Sequence, residues 1–441
     1  MNKKSWKLIV PIAMALLLIF QVGCGSNNAN QTGQPAETSG TDDGTKNAGS
    51  GSKEKIKLQF WDMHTEAEQK FFEDLVKEYN ESQDAVQIEY STYNQADYTA
   101  TKLPIAFSGG NGPDIYMISP GDFMKFANSG YLADLAPYFP EGSREDFLPS
   151  ALDAVTVDGK VLALPYEMEL LGLYYNEDML KQAGVEVPKT WDELLEAARK
   201  LTTNKVAGLV LPPDKGAYFN FNFYPFLWQA GGAVLSEDGK SSAFNSPETA
   251  KALDFWGTFF KEGLSPSKLQ YGPWEIDNLG KGSAAMQICG TWAISRAEEV
   301  FGDVPIKLAP LPIPEGGKPV TTAGGWKFAV NAKSANMEEA AKFVMWAFAS
   351  DTKRPLKWAT ETKFAYPARQ SVIEEGKEIY NKGMRKTYTD EIYETGIPEP
   401  VYSPAVVEAI GDAMTKVMFG ALSGADAAKE ADAKISEALK Q

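Results

Sequence analysis

The chain has one histidine, His64, among 441 residues, and two cysteines, Cys24 and Cys289. A Ser-His-Asp or Cys-His site would have to use that single imidazole, and neither a Gly-x-Ser-x-Gly elbow nor an apt Cys accompanies it. Zinc sites built from several His or Cys side chains are excluded by the same count. Basic charge is also short: 43 Lys and Arg against 59 Asp and Glu leave a formal net charge of −16. Phosphate backbones are held by clustered cations, so nucleic acid is not an expected partner, and an extended contact with anionic lipid is disfavoured. After Phe20 no apolar run is long enough to span a bilayer core of ~30 Å.

What is present begins with a leader. Lys3, Lys4 and Lys7 form a positive start and Leu8 to Phe20 an apolar run. That run is too short for a membrane span and reads as an export signal over 1–23. It closes on Gln21-Val22-Gly23-Cys24, which resembles the lipobox of bacterial lipoproteins, with Gln21 where that motif prefers Leu. The resemblance implies cleavage before Cys24 and a lipid on its thiol, and stable anchoring of this kind takes at least two chains. The plainer alternative is a secreted protein with an incidental Cys24. With Cys24 lipidated, Cys289 has no partner for an intramolecular disulfide, so stability must come from packing.

Residues 24–54 hold no aromatic and no large aliphatic side chain. Such a stretch cannot bury enough apolar surface to offset the entropy of ordering, so a disordered tether is expected. A Gly-rich coil of this length spans roughly 30 Å root-mean-square. The body from Lys55 onward is rich in Trp, Tyr and Phe and too long for one core, which suggests two lobes.

Alternating polar and apolar residues predict strands at Lys55–Trp61, Val86–Tyr90 and Asp114–Ile118. Phe71, Phe72, Leu75, Val76 and Tyr79 recur at helical spacing within Ala67–Tyr79. Helices are also expected at Thr99–Ser108 and Phe123–Ser129, the second with Asp122 as a possible N-cap. Thr190 is placed to cap a helix over Trp191–Leu201, with Glu193 completing a capping box. Strand-helix alternation of this kind indicates an open α/β sheet, where ligands sit beyond the carboxyl ends of the strands. That points to Trp61–Glu66 and Ile118–Asp122.

Several segments, in order, resemble extracellular sugar-binding proteins of bacterial ABC importers, a family that includes maltose-binding protein. They are Gly109-Gly-Asn-Gly-Pro-Asp114, Gly159-Lys-Val-Leu-Ala-Leu-Pro165-Tyr-Glu167, Leu173-Tyr-Tyr-Asn176, Pro188-Lys-Thr-Trp191, Gly282 to Trp292, and Gly324-Gly-Trp-Lys327. The resemblance covers Lys55 to Gln441. It implies an α/β, two-lobed periplasmic-binding-protein-like fold with the ligand cleft between the lobes. The first lobe would hold 55–164 and 322–360, the second 165–320 and 364–441. It also implies a monomer on the outer face of the cell membrane that hands a carbohydrate to permease subunits. No cofactor and no metal are expected.

A pyranose presents C–H faces and a rim of hydroxyls, so its site needs aromatic rings beside planar amides and carboxylates. On the resemblance, Trp292 and Trp326 are the expected stacking residues, against the alternative that each packs a core. Glu169 and Asp122 are the expected hydroxyl-binding carboxylates. His64 falls in the loop after the first strand, where a structural role competes with ligand contact. Asn220 and Asn222 alternate with Phe in Tyr218–Tyr224, one face packing while the other offers amides. Arg369 is either a cleft residue or an ion-pair partner between lobes. The other readings are a binder of a glycerophosphodiester or polyamine, and a glycosidase using Glu167 and Glu169.

Overall fold

The computed structural model describes residues 55–440. The leader, the Cys24 lipobox and the tether lie outside those residues.

The first half opens with strand β1 (Ile56–Asp62), helix α1 (Glu66–Ser82), strand β2 (Val86–Thr92), strand β3 (Ile115–Ile118) and helix α2 (Pro120–Asn128). The next strand to join its sheet is β4 (Leu164–Pro165), after which the chain leaves for a second sheet at β5 (Glu167–Asn176). The second half continues through α3 (Trp191–Leu201), α4 (Ala217–Gln229), α5 (Pro247–Lys261), β6 (Met286–Gly290), β7 (Ile306–Ala309) and β8 (Thr321–Gly324). The chain then returns to the first sheet with β9 (Lys327–Val330) and covers it with α6 (Met337–Phe348). It ends in the second half with β10 (Tyr366–Pro367), β11 (Gly396–Pro398), α7 (Pro404–Met418) and α8 (Gly424–Ala438).

The first sheet has the order β2-β1-β3-β9-β4. β1 runs parallel to β2 and β3, while β9 runs antiparallel to β3 and β4. In the second sheet the ten-residue β5 is the spine. Its start pairs with β10 and β8, its length with β6 and β7, and β8 carries β11. Each sheet has its own core. Phe60, Phe72, Phe328, Phe343, Phe348 and Trp358 fill the first. Trp191, Phe219, Phe223, Trp256, Ile410 and Met414 fill the second. The architecture is the two-lobed α/β fold expected from the sequence.

Local chemistry explains the element ends. Thr190 accepts the Glu193 N–H at 3.2 Å while the Glu193 carboxylate accepts the Thr190 N–H, the capping box read from the sequence. The helix expected over Thr99–Ser108 is broken: Tyr98–Lys102 forms a π-turn before the α-helical Leu103–Ser108. Pro104 near the start of that last segment has no N–H to continue an α ladder, and the wider turn absorbs the interruption.

Candidate functional site

β1, β2 and β3 are parallel, so their carboxyl ends, Asp62, Thr92 and Ile118, share one edge of the first sheet. Lys327 of the antiparallel β9 stands opposite Ile118, which brings the preceding Trp326 to the same edge. Trp61 and Tyr93 meet there edge to face, ring centroids 5.1 Å apart. Trp326, half-buried, lines a small cavity with Tyr98, Ser119, Asp122 and Phe126.

Asp122 does not cap its helix. α2 begins three residues earlier than expected, at Pro120, and its cap is Ser119. The Ser119 hydroxyl accepts the Asp122 N–H at 3.2 Å and donates to the Asp122 carboxylate at 2.8 Å. Proline at the first helical position carries no N–H to leave orphaned, which is why the helix starts there. Burial raises the Asp122 carboxyl above its ordinary pKa.

On the second lobe, Leu171 of β5 pairs with Gly290 of β6, so Glu167–Leu170 and Thr291–Trp292 lie at the same end of that sheet. Tyr218 meets Trp274 at 5.9 Å and Trp292 at 6.0 Å, both edge to face. The half-buried Trp292 donates its indole N–H to the Trp274 carbonyl at 2.9 Å, which fixes the ring plane. A side chain at Gly290 would stand 1.8 Å from that ring, so the fold-back of Trp292 over the strand end requires glycine.

Asn220 and Asn222 are on the helix α4, where the alternation in Tyr218–Tyr224 predicted one packed and one open face. Residues two apart on a helix diverge by about 200°, so the two amides part company. Asn220 donates to the Val407 carbonyl at 3.0 Å and ties α4 to α7. Asn222 is fully buried with neither amide atom hydrogen-bonded. The Thr291 hydroxyl is likewise buried and unpartnered.

Between the sheets sits a charged group built around Lys363. Its ammonium lies 2.6 Å from Glu169 and 3.2 Å from Glu167. Glu167 also accepts the Trp326 N–H at 3.1 Å and the Trp358 indole N–H at 2.9 Å. Burial raises the Glu169 carboxyl to about 7 against the opposing pull of Lys363. Burial works against the Lys363 charge, yet Glu167, Glu169 and Glu68 outweigh it and lift its pKa above the usual lysine value. Gly325, at φ +118°, makes the crossing possible, because a Cβ there would stand 2.6 Å from the Glu167 carbonyl.

His64 is in the first core. Its Nδ1 lies 2.9 Å from Asp62 and its ring stacks on Phe72 at 4.9 Å. Burial opposes its charge, but Asp62 prevails and the imidazole pKa is raised. Arg369 is an ion-pair residue: it donates to Asp146 at 2.7 Å and to the carbonyls of Asp351 and Phe348. Those bonds tie it to Asp146 and to the end of α6.

Two further contacts join the lobes. A Cβ on Gly121 of α2 would come 2.9 Å from that of Ala217 at the start of α4. Arg296 reaches from the second lobe to both oxygens of Glu66 in the first, at 2.9 and 3.0 Å, while its other side forks onto Asp277. An open groove of about 590 Å³ lies elsewhere, over Asn128, Tyr138, Val157, Lys160 and Met337 of the first lobe. Its lining has no tryptophan and no carboxylate beyond Asp134 and Asp158. The aromatic and charged edges therefore make the better candidate site.

Sequence reasoning missed Lys363, Tyr218 and Trp274. Lys363 falls in a stretch with no motif, and only its contacts mark it. An aromatic-rich run at 218–228 was the available signal for Tyr218.

Residues 64–354 match the family described as bacterial extracellular solute-binding protein. A probable ABC transporter-binding protein of Deinococcus radiodurans is 30% identical over 247 residues, 52% of this chain and 57% of that protein. A maltotriose-binding protein of Pyrococcus abyssi is 27% identical over 297 residues, 66% of this chain and 62% of that one. The matched stretches thus span less than two thirds of those two relatives. An arabinooligosaccharide-binding protein of Bacillus subtilis is 26% identical over 327 residues, 70% and 73% of the two chains. Among solved structures, the GacH receptor of Streptomyces glaucescens, determined unliganded and with acarbose, superposes with a TM-score of 0.75 at 26% identity, covering 88% of this chain and 100% of that one. A Thermotoga lettingae solute-binding protein bound to α-D-tagatose gives a TM-score of 0.74 at 26% identity, with 87% and 100% covered.

Proposed function

The chain belongs to the bacterial extracellular solute-binding proteins, and from that premise we infer that it captures an oligosaccharide by lobe closure for an ABC importer. The observation that carries this reading is an aromatic group at one end of each sheet. Trp61, Tyr93 and Trp326 stand at the carboxyl ends of the first sheet, and Tyr218, Trp274 and Trp292 gather where β6 of the second ends. Rings for sugar faces and buried, unpartnered hydroxyl and amide groups for the rim are what a carbohydrate site needs.

In this reading Trp292 and Trp326 stack on the sugar, and Glu169, Asp122 and Asn222 meet its hydroxyls. His64, Asn220 and Arg369 hold the scaffold, each through the bonds given above. The lobes divide as 55–165 with 325–360 and 166–324 with 364–441, a few residues from the expected crossings because β4 pairs in the first sheet and β8 in the second. Ligand bridging both lobes favours the closed state by its differential affinity, and the permease subunits then receive the closed protein. The protein acts as a monomer on the outer face of the membrane, held by lipid on Cys24. Loss of palmitate labelling in a Cys24→Ala variant supports that anchor; unchanged labelling removes it.

No chemistry on the ligand is part of this function. Glu167 and Glu169 project from the same strand onto one ammonium, instead of facing each other across a glycosidic bond. The deciding experiment is a thermal-shift series with mono- and oligosaccharides. A binder gains about 2.7 kcal/mol at a hundredfold excess over its dissociation constant. A shift with a polyamine or a glycerophosphodiester and with no saccharide would replace the ligand class.

A further inference from the structure

Two charged side chains near the meeting of the lobes are buried without partners. Lys327, the first residue of β9, is 6% exposed, and Glu399, directly after β11, is 7% exposed. Only burial and through-space charge act on either one; no side-chain hydrogen bond reaches them, and they do not pair with each other. Burial pushes the Glu399 carboxyl up to about 8 and the Lys327 ammonium down from its ordinary value.

Geometry places the Glu399 carboxylate between two glycines. One oxygen lies 3.6 Å from where a Cβ of Gly121 would stand, the other 3.1 Å from that of Gly324. Gly121 belongs to α2 of the first lobe and Gly324 ends β8 at the crossing, so this carboxylate from the second lobe reaches the first. Its backbone N–H is tied to the Ala323 carbonyl at 2.9 Å, which anchors the residue to the sheet. Lys327 stands opposite Ile118 and Pro165 in the first sheet, one residue from Trp326.

A buried carboxylate wants donors and a buried ammonium wants acceptors. The protein supplies neither here. A neighbouring pair of hydroxyls supplies both at once, donating to the carboxylate and accepting from the ammonium through its oxygens. We propose that Lys327 and Glu399 are ligand-contacting residues that share one hydroxyl pair of the sugar and clamp it from both lobes. The proposal rests on the carbohydrate reading above and adds to it a specificity for a diol that spans the lobe contact. A ligand lacking one of those hydroxyls leaves a buried charge unmet, and discrimination against it is correspondingly steep.

The test is calorimetry on the full chain with maltotriose, arabinotriose, xylotriose and cellotriose as probes. The variants are Glu399→Gln, Lys327→Met and the double. Each single change should weaken the best wild-type ligand at least tenfold. The double should be no more than threefold weaker than the worse single, because both groups serve the same hydroxyl pair. Glu399→Gln should melt no lower than wild type, since burial already works against the Glu399 charge and Gln carries none, so lost affinity cannot be put down to lost folding. The two singles are read separately, and failure of Lys327→Met to fold leaves Glu399→Gln to decide. Affinity within twofold of wild type in a folded single variant overturns the clamp while leaving the sugar reading intact. Multiplicative losses in the double variant overturn the sharing. A wild type that binds none of the four probes overturns the carbohydrate premise itself.

Discussion

The Lys363 ammonium lies 2.6 Å from the Glu169 carboxylate, and the two join strands of sequence 194 residues apart at the crossing between lobes. Both are at least nine-tenths buried, and Glu167 shares the same ammonium from 3.2 Å. One cation thus serves two carboxylates that solvent barely reaches.

Replacing that cation should be costly. Lys363→Met leaves Glu169 buried without its cation and Glu167 with only its two tryptophan donors, and breaking a buried pair by removing one partner costs on the order of 3–5 kcal/mol. Denaturant unfolding reads the loss. Stability within 1 kcal/mol of wild type would show that the group is not held as described.

Trp292→Ala should weaken saccharide binding by roughly 1–3 kcal/mol while the protein stays folded, the scale of losing one aromatic contact. Gly290→Ala should do nearly the same from a distance, because its methyl would occupy the ring's position. Calorimetry on both variants, with near-ultraviolet dichroism as the folding control, checks the pair. Full affinity in Gly290→Ala would mean the ring has another seat.

Stability should fall as the medium becomes alkaline. Glu399 is raised in the folded protein to about 8, from an ordinary carboxylate value near 4.5. A raised carboxyl favours folding most when protonated. Its contribution is therefore complete below about pH 4.5 and lost as pH rises through about 8. The groups facing it are Lys327 on β9, Asp122 on α2, Glu169 on β5 and Tyr224 on α4. Glu399→Gln should flatten the melting temperature across that window relative to wild type. An unchanged slope would assign the dependence to another group.

The Glu66–Arg296 contact should bias the empty protein toward closure. Both side chains are partly exposed, so the expected bias is ~1 kcal/mol or less and should fade with salt. Arg296→Ala should enlarge the radius of gyration of the ligand-free protein in X-ray scattering, while saturating ligand restores the wild-type value. Identical radii without ligand would remove the contact from the closing equilibrium.

How much of this was legible in the residues follows from how local each signal is. The Thr190–Glu193 capping box spans four residues and was read outright. So were the opening strands, because β1 alternates buried and open positions along its length. The α4 segment misled for a physical reason. Phe219, Phe221 and Phe223 mimic a two-residue period, and a helix buried on nearly all sides has no polar face to betray its true one. Lys363 and Arg369 take their meaning from carboxylates about two hundred positions upstream, so no window of sequence contains the pairing. The unpartnered Glu399 was invisible for the opposite reason: what marks it is the absence of a neighbour.

The position of β9 between β3 and β4 sets a timetable for the chain's own maturation. The first sheet cannot close over the exposed edge of β3 until Val330 has emerged, some 212 residues after Ile118. At ~5–20 residues per second of synthesis, that interval is roughly 10–40 s. For that time the first sheet lacks one of its inner strands. A chain cut at residue 320 should accordingly lack cooperative unfolding of its first half, however long it is given. Compact, protease-resistant folding of that fragment would show that the early strands do not wait for the late one.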